Sequence, residues 1–208
     1  MDHKITQEKE LRSNKLKVEI RSTGEGEKQK KKITGYAVKW DQLSDPIWGM
    51  FQERFRKGAF SNCLSNNPDV IGDWQHDMSE IMGRTTAGTL IVEEDDIGLR
   101  YEIDPPSWAE KHIETIERGD VTGSSFIFQA TKTEWDDTNP DMSIRTVIEA
   151  ELIEVSPVTF PAYPQSEAGI RSAQEILNEH RKDIKGPETD YKLDNLRIKI
   201  NFLSKRYK

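Results

Sequence analysis

The chain has 208 residues, of which 32% are charged and 34% are hydrophobic, and its formal net charge is −7. This length suits one domain of about 100–150 residues with extensions, and the acidic balance argues against a general nucleic-acid coat, because phosphate binding needs clustered cations. The single cysteine, Cys63, excludes an internal disulfide and a cysteine-rich zinc site, and no apolar run approaches the roughly 20 residues of a membrane span. We therefore expect a soluble protein from a reducing compartment.

The N-terminal part of the chain predicts the start of an antiparallel β-sheet. Residues 1–15 are polar and charged, and we expect no fixed structure for them. Apolar and charged residues alternate over residues 15–21, and residues 33–40 predict the partner strand of a hairpin. The basic run at residues 28–32 is interpreted as a solvated lead-in to the second strand.

The middle of the chain predicts two helices among short strands. A short helix is expected over residues 55–64, and the clearest helix signal covers residues 107–118, where Ser107 and Glu110 have the spacing of a capping box and Gly119 follows the end. A turn at residues 95–98 joins two of the strands, and the strands are predicted at residues 70–76, 89–92 and 99–103.

The C-terminal half predicts two longer strands and then a change of pattern. Strands are expected over residues 121–130 and 144–158, separated by an acidic loop at 134–142. From Ser166 the apolar residues take helical spacing, which predicts amphipathic helices over residues 166–184 and 193–203.

Ser125 is the candidate nucleophile, because it follows a glycine and another serine at the start of a strand, which would fix the direction of its side chain. Of the four histidines, only His76 lies at a strand end beside a turn, where catalytic groups commonly emerge. In such a Ser–His pair, the histidine would take the hydroxyl proton as the serine attacks an acyl carbon, and would then return the proton to the leaving amine.

The group that would orient His76 is sought among the acidic residues of the strand at 144–158. Simple alternation puts Glu149 and Glu151 on one face and Glu154 on the other, and one of the first two beside His76 would be a paired carboxylate. Asp77 is a further contender. Asp73, His76 and Asp77 could offer metal ligands, but no second histidine or cysteine stands at ligand spacing, so hydrolysis is preferred and no metal or cofactor is predicted.

An ordered series of short motifs resembles the prohead serine proteases of tailed phages. Each motif is weak alone, whereas the series is specific and spans about residues 16–165. In chain order the motifs are Ile33-Thr34-Gly35-Tyr36-Ala37, Arg56-Lys57-Gly58-Ala59-Phe60, His76-Asp77, Gly83-Arg84-Thr85, Asp96-Ile97-Gly98-Leu99, Gly123-Ser124-Ser125-Phe126 and the run from Glu154 to Pro164.

The resemblance implies the fold of the herpesvirus assemblins: an α+β, mainly β domain, built as an antiparallel β-barrel flanked by helices. By position, His76 and Ser125 would be the catalytic pair. The second histidine of the herpesvirus enzymes has no counterpart here, so an acidic residue would replace it, and Glu151 is favoured with Glu149 close behind. Ile127 stands where many relatives have glycine.

The resemblance also implies a biological setting. Such a protease would act in the host cytoplasm, inside the assembling procapsid, where it removes the scaffolding portion of the major capsid protein and cleaves itself. No membrane and no specific nucleic acid are expected as partners, and dimer activation in herpesvirus relatives makes self-association an open question. We divide the chain into a flexible segment (1–15), a protease domain (16–165) and a helical extension (166–208) for targeting, itself trimmed by self-cleavage.

A non-catalytic scaffold or capsid-assembly protein is the alternative, since the same β-core could serve for binding alone. The distance between Ser125 and His76 distinguishes the two functions: contact favours hydrolysis, and a separation beyond about 4–5 Å favours a binding protein.

Overall fold

Ten β-strands make up about half of the described part of the chain, which comprises residues 9–24, 30–139, 141–160 and 167–185 of a computed structural model. The strands are β1 (Glu10–Asn14), β2 (Glu19–Thr23), β3 (Lys30–Lys39), β4 (Phe51–Phe55), β5 (Ile71–Trp74), β6 (Asp77–Arg84), β7 (Leu90–Glu94), β8 (Gly98–Ile103), β9 (Gly123–Asp136) and β10 (Ser143–Val158). The α-helices of these ranges are α1 (Ser61–Ser65), α2 (Glu110–Glu117) and α3 (Glu167–Lys185). The prediction of a mainly β protein is confirmed.

The larger sheet has six strands in the order β1-β9-β10-β5-β6, with β4 also paired to β10. Its centre is the long antiparallel pair β9 and β10, and β1 pairs antiparallel with the other side of β9. Both β4 and β5 run parallel to β10, at successive positions along its outer side. This order places β9, which carries Ser125, between β1 and β10.

The smaller sheet has four antiparallel strands in the order β2-β3-β8-β7. It contains the two predicted hairpins: β2 pairs with β3, and the turn at residues 95–98 joins β7 to β8. The strand order of each sheet is open among the described residues, so the predicted closed barrel is not confirmed.

Two segments expected to be irregular are strands. Residues 10–14 form β1, although no fixed structure was predicted through residue 15, because their main-chain partners come from β9. The last three residues of the basic run begin β3, where Lys31 pairs with Glu117 and Lys32 with Glu102. Both segments gain order from partners that lie far away in the sequence, which local composition does not reveal.

The helix predictions need adjustment at their ends. The helix expected over residues 55–64 is the shorter α1, because β4 continues through Phe55. The helix expected over residues 107–118 begins with a 3₁₀ turn (Ser107–Ala109) and continues as α2, and neither start has a side-chain cap, so the predicted capping box is absent. The acidic loop is shorter than expected, since β9 runs to Asp136.

Aromatic rings from β4, from the residue just before α1 and from β9 form the centre of the main core. Phe55, Phe60, Phe126 and Phe128 are all buried, and Phe55 lies 5.1–5.8 Å from the other three ring centroids. These rings cover one face of β9, which leaves the hydroxyl of Ser125 on the opposite face.

Helix α3 covers the region of the first predicted C-terminal helix and packs on the β-rich core. Ala173, Ile176 and Leu177 are buried against Ile47 and Phe51. The second predicted helix, at residues 193–203, lies outside the described residues, and the domain boundary at residue 165 stays a prediction. No helix of the described ranges is long and apolar enough to cross a membrane.

Candidate active site

His76 lies in the two-residue turn between β5 and β6. Gln75 and His76 both have positive φ, 55° and 63°, and Trp74 pairs with Asp77 across the turn. These features identify a type I′ hairpin turn, the kind whose twist matches that of its strands. The turn usually contains asparagine or glycine, and histidine is among the residues that tolerate this left-handed conformation.

Hydrogen bonds from the sheet hold this turn in place. The backbone N–H of His76 lies 3.1 Å from Ser156 Oγ and 3.2 Å from Asp73 Oδ1, and the N–H of Gln75 donates to the carbonyl of Pro157 at 3.2 Å. The imidazole therefore projects from a fixed backbone on the Ser125 side of the sheet.

The side chains of Ser125, His76 and Glu154 form a continuous hydrogen-bonded series. Ser125 Oγ lies 2.7 Å from His76 Nε2, and His76 Nδ1 lies 2.5 Å from Glu154 Oε1. Ser125 and Glu154 are buried, whereas 23% of the His76 side chain is exposed. A hydroxyl, an imidazole and a carboxylate in this order can transfer a proton away from the hydroxyl.

A β-bulge in β10 decides which glutamate meets His76. Leu152 and Glu154 lie opposite adjacent residues of β9, so Ile153 is an extra residue on β10. An extra residue reverses the alternation of all side chains beyond it. The bulge therefore turns Glu154 to the face that carries Ser125, where simple alternation predicted the other face.

The acidic residues favoured from the sequence lie elsewhere. Glu151 is exposed and sits beside Cys63, whose thiol pKa is raised to about 11, first by burial and further by this carboxylate. Glu149 lies 3.7 Å from Lys132 Nζ, and Asp77 bonds Ser79. The carboxylate at His76 is thus Glu154, and the assignments to Glu151, Glu149 and Asp77 are corrected.

A second buried carboxyl, Asp73, lies behind this series. Its exposed fraction is 0%, and its Oδ2 atom has no hydrogen-bond partner among the described residues. Burial and, to a smaller extent, the neighbouring Glu154 carboxylate raise the pKa of Asp73 to about 7. The sequence suggests Asp73 only as a metal ligand, and no local pattern indicates that β5 and β10 bring the two carboxyls together.

Asp73, His76 and Glu154 are also the residues that could hold a metal ion, because one ligand atom from each lies within 4.8 Å of the others. The Nδ1 atom of His76 is already bonded to Glu154. A cation bound by these atoms would replace the hydrogen bond that fixes the imidazole, so the three residues cannot serve both roles at once.

The neighbouring serine and the N-terminal strand complete the surroundings of Ser125. Ser124 points to the other face, where its hydroxyl donates to Tyr101 at 3.1 Å. Ser125 Oγ, besides its contact with His76, donates to the carbonyl oxygen of Arg12 at 2.9 Å and lies 2.8 Å from Ser13 Oγ. Neither contact from β1 was expected from the sequence, because the first fifteen residues were thought to lack structure.

Comparisons with known proteins identify the family of the chain. The model of the caudovirus prohead serine protease family matches residues 16–181. A solved structure, that of the bacteriophage T4 capsid assembly protease gp21, is similar with a TM-score of 0.46 and 15% identity, covering 74% of this chain and 100% of that chain. No curated protein matches the sequence. Because the family match spans most of the chain and both sheets, the chain belongs to the caudovirus prohead serine proteases.

Proposed function

We propose that this protein is a serine endopeptidase in which Ser125 is the nucleophile, His76 the general acid and base, and Glu154 the group that orients His76. The observation that carries the proposal is the 2.7 Å contact between Ser125 Oγ and His76 Nε2. Such contact favours hydrolysis over the binding-only alternative, since a nucleophile and its base must lie within hydrogen-bond reach.

The proposed reaction proceeds through an acyl-enzyme. His76 Nε2 takes the proton of Ser125 as Oγ attacks a peptide carbonyl, and then gives that proton to the leaving amine. Glu154 accepts a hydrogen bond from Nδ1, which keeps the other nitrogen free to accept the proton and stabilises the imidazolium. Water then hydrolyses the ester by the same route and regenerates Ser125.

The proposed substrates are the scaffolding portion of the major capsid protein and the protease chain itself, inside the assembling procapsid of the host cytoplasm. The family membership supports this setting, because prohead proteases are defined by it. We include trimming of the chain's own extensions, among them the region from residue 166 onward.

The test is co-expression with the cognate capsid protein, followed by intact mass measurement of both chains. We expect wild type to shorten the capsid protein, and Ser125→Ala and His76→Ala to leave it at full length. Ser124→Ala is the matched control, since it removes the adjacent hydroxyl, which bonds Tyr101 on the other face. Equal behaviour of wild type, Ser125→Ala and His76→Ala would favour the scaffold function instead.

A further inference from the structure

The nucleophile is covered by the chain's own N-terminal strand. Ser125 has an exposed fraction of 0%, and β1 lies directly on it, with Ser13 opposite Ser125 in the strand register. The carbonyl of Arg12 is the main-chain group that Ser125 Oγ contacts, at 2.9 Å. Residues 10–14 also precede the part of the chain that the family model matches. An external peptide therefore cannot reach Oγ until β1 leaves.

β1 pairs with β9 in the way that an extended peptide substrate would. An extended chain paired with the edge of β9 has its carbonyl groups at regular intervals along the strand, and one of them, from Arg12, lies at the nucleophile. Proteins commonly bind extended peptides by adding a strand to a free sheet edge in this way. Without β1, the outer edge of β9 is such an edge.

Two charged side chains of β1 enter a buried ring of ion pairs. Arg12 contacts Glu10 and Glu53, each at 2.7 Å. Arg145 contacts Glu10 at 2.5 Å and Glu53 at 2.8 Å. Glu10, Glu53 and Arg145 are each no more than 3% exposed. Both residues of β1 thus meet a buried partner of opposite charge in the protease domain.

Positive and negative charges balance in this ring with or without β1, so another strand can take the place of β1. Glu53 and Arg145 lie 2.8 Å apart, so these two opposite charges would still pair with each other without β1. The incoming strand adds one anion and one cation, two residues apart. A strand that brings only one of these two charges leaves the buried group with a net charge, whereas a strand that brings an acid two residues before a base keeps it neutral.

We propose that β1 is the chain's own substrate, that the bond cut is Arg12–Ser13, and that Arg145 and Glu53 select substrates with Glu-x-Arg immediately before the cut bond. Arg145 recognises the glutamate and Glu53 the arginine. This inference rests on the proposed protease function and specifies its substrate.

Ser125 Oγ now faces the carbonyl oxygen, so the Arg12–Ser13 peptide first turns its carbonyl carbon toward Oγ. The new Oγ–C bond forms while His76 takes the proton, and the C–N bond then breaks as His76 protonates the amine of Ser13. Water cleaves the ester, which releases residues 1–12 with a carboxylate on Arg12 and leaves Ser13 as the new N-terminus.

The experiment follows the intact mass and N-terminal sequence of the full-length chain, expressed with the capsid protein. We expect wild type to lose residues 1–12 and Ser125→Ala to keep them. Glu10→Gln and Arg12→Gln should slow the cut by about tenfold or more, because each removes a charged hydrogen-bond partner. Lys15→Gln is the matched control, since it removes an exposed cation of the same segment outside the ring and should be cut at the wild-type rate.

Cleavage of the capsid protein separates this inference from the function on which it rests. The variants Glu10→Gln and Arg12→Gln keep the catalytic residues and should still shorten the capsid protein, which also shows that they fold. A wild-type chain that shortens the capsid protein but keeps residues 1–12 would overturn the inference and leave the function standing. If the Glu10→Gln and Arg12→Gln chains are cut at the wild-type rate, the proposal that Arg145 and Glu53 select the substrate is wrong. Failure of wild type to cut either chain would overturn both.

Discussion

Two buried charged clusters lie on opposite faces of the same sheet and differ in their balance of positive and negative groups. On the face of Phe126 and Phe128, two arginines and two glutamates form the closed ring described above. On the face of Ser125, one imidazole meets two carboxyls, those of Glu154 and Asp73. The first cluster matches every anion with a cation, whereas the second leaves a carboxyl to be neutralised by a raised pKa.

This difference matches the two proposed roles, with a balanced ring for structure and recognition and an unbalanced cluster for acid–base chemistry. A balanced ring holds its members in one charge state, because each ion is stabilised by two of opposite sign. An unbalanced cluster keeps a proton that can move near neutral pH, which is the property that acid–base catalysis requires. The following predictions test the contrast.

The largest effect is expected from Glu154→Gln. The change keeps the shape of the side chain but removes the charge that stabilises the imidazolium of His76, so the cleavage rate should fall by about 10²- to 10⁴-fold. The measurement is the initial rate of capsid-protein cleavage. Glu151→Gln is the control, because that exposed residue lies away from His76 and should keep the wild-type rate; equal losses in the two variants would restore the sequence-based assignment.

The next effect is expected from Arg145→Ala, which leaves Glu10 and Glu53 buried without one of their two cations. The free energy of unfolding should fall by about 3–5 kcal/mol. Arg56→Ala is the comparison, because the exposed pair of Arg56 with Glu134 should contribute only about 0–1 kcal/mol. Urea denaturation of both variants checks this, and equal losses would show that the ring is no more important than a surface pair.

The smallest effect is expected from Asp73→Asn, and it depends on pH. The pKa of Asp73 is about 7 in the folded state, above the ordinary value near 4, so the folded state holds this proton more tightly than the unfolded state. Wild-type stability should therefore fall as pH rises from about 4 to 7, relative to Asp73→Asn, by on the order of 1 kcal/mol or more.

Urea denaturation of wild type and Asp73→Asn at pH 4, 5.5, 7 and 8 measures this difference. The gap between the two proteins should widen up to pH 7 and then stay constant. A constant gap across the whole range would mean that folding does not raise the pKa of Asp73, and that the second cluster is balanced in some other way.

Local sequence patterns were sufficient to single out the two residues of the proposed catalytic pair. Ser125 was predicted because a Gly-Ser-Ser sequence precedes an alternating strand, and His76 because it follows a short strand at a turn; the structure brings them into contact. The long strand at residues 144–158 was also correct almost to its ends. These features depend on neighbours within a few residues, so the sequence displays them directly.

The sequence by itself thus determined the family, the mainly β class, and the positions of Ser125 and His76. Only the tertiary structure decided which glutamate meets His76, because the bulge at Ile153 arises where β10 pairs with β9 and reverses the alternation that a single strand would show. It also decided that residues 10–14 are a strand lying on Ser125, the proposed nucleophile. That strand exists because its hydrogen bonds and buried charges find partners more than 40 residues away in the chain, which no local pattern can encode.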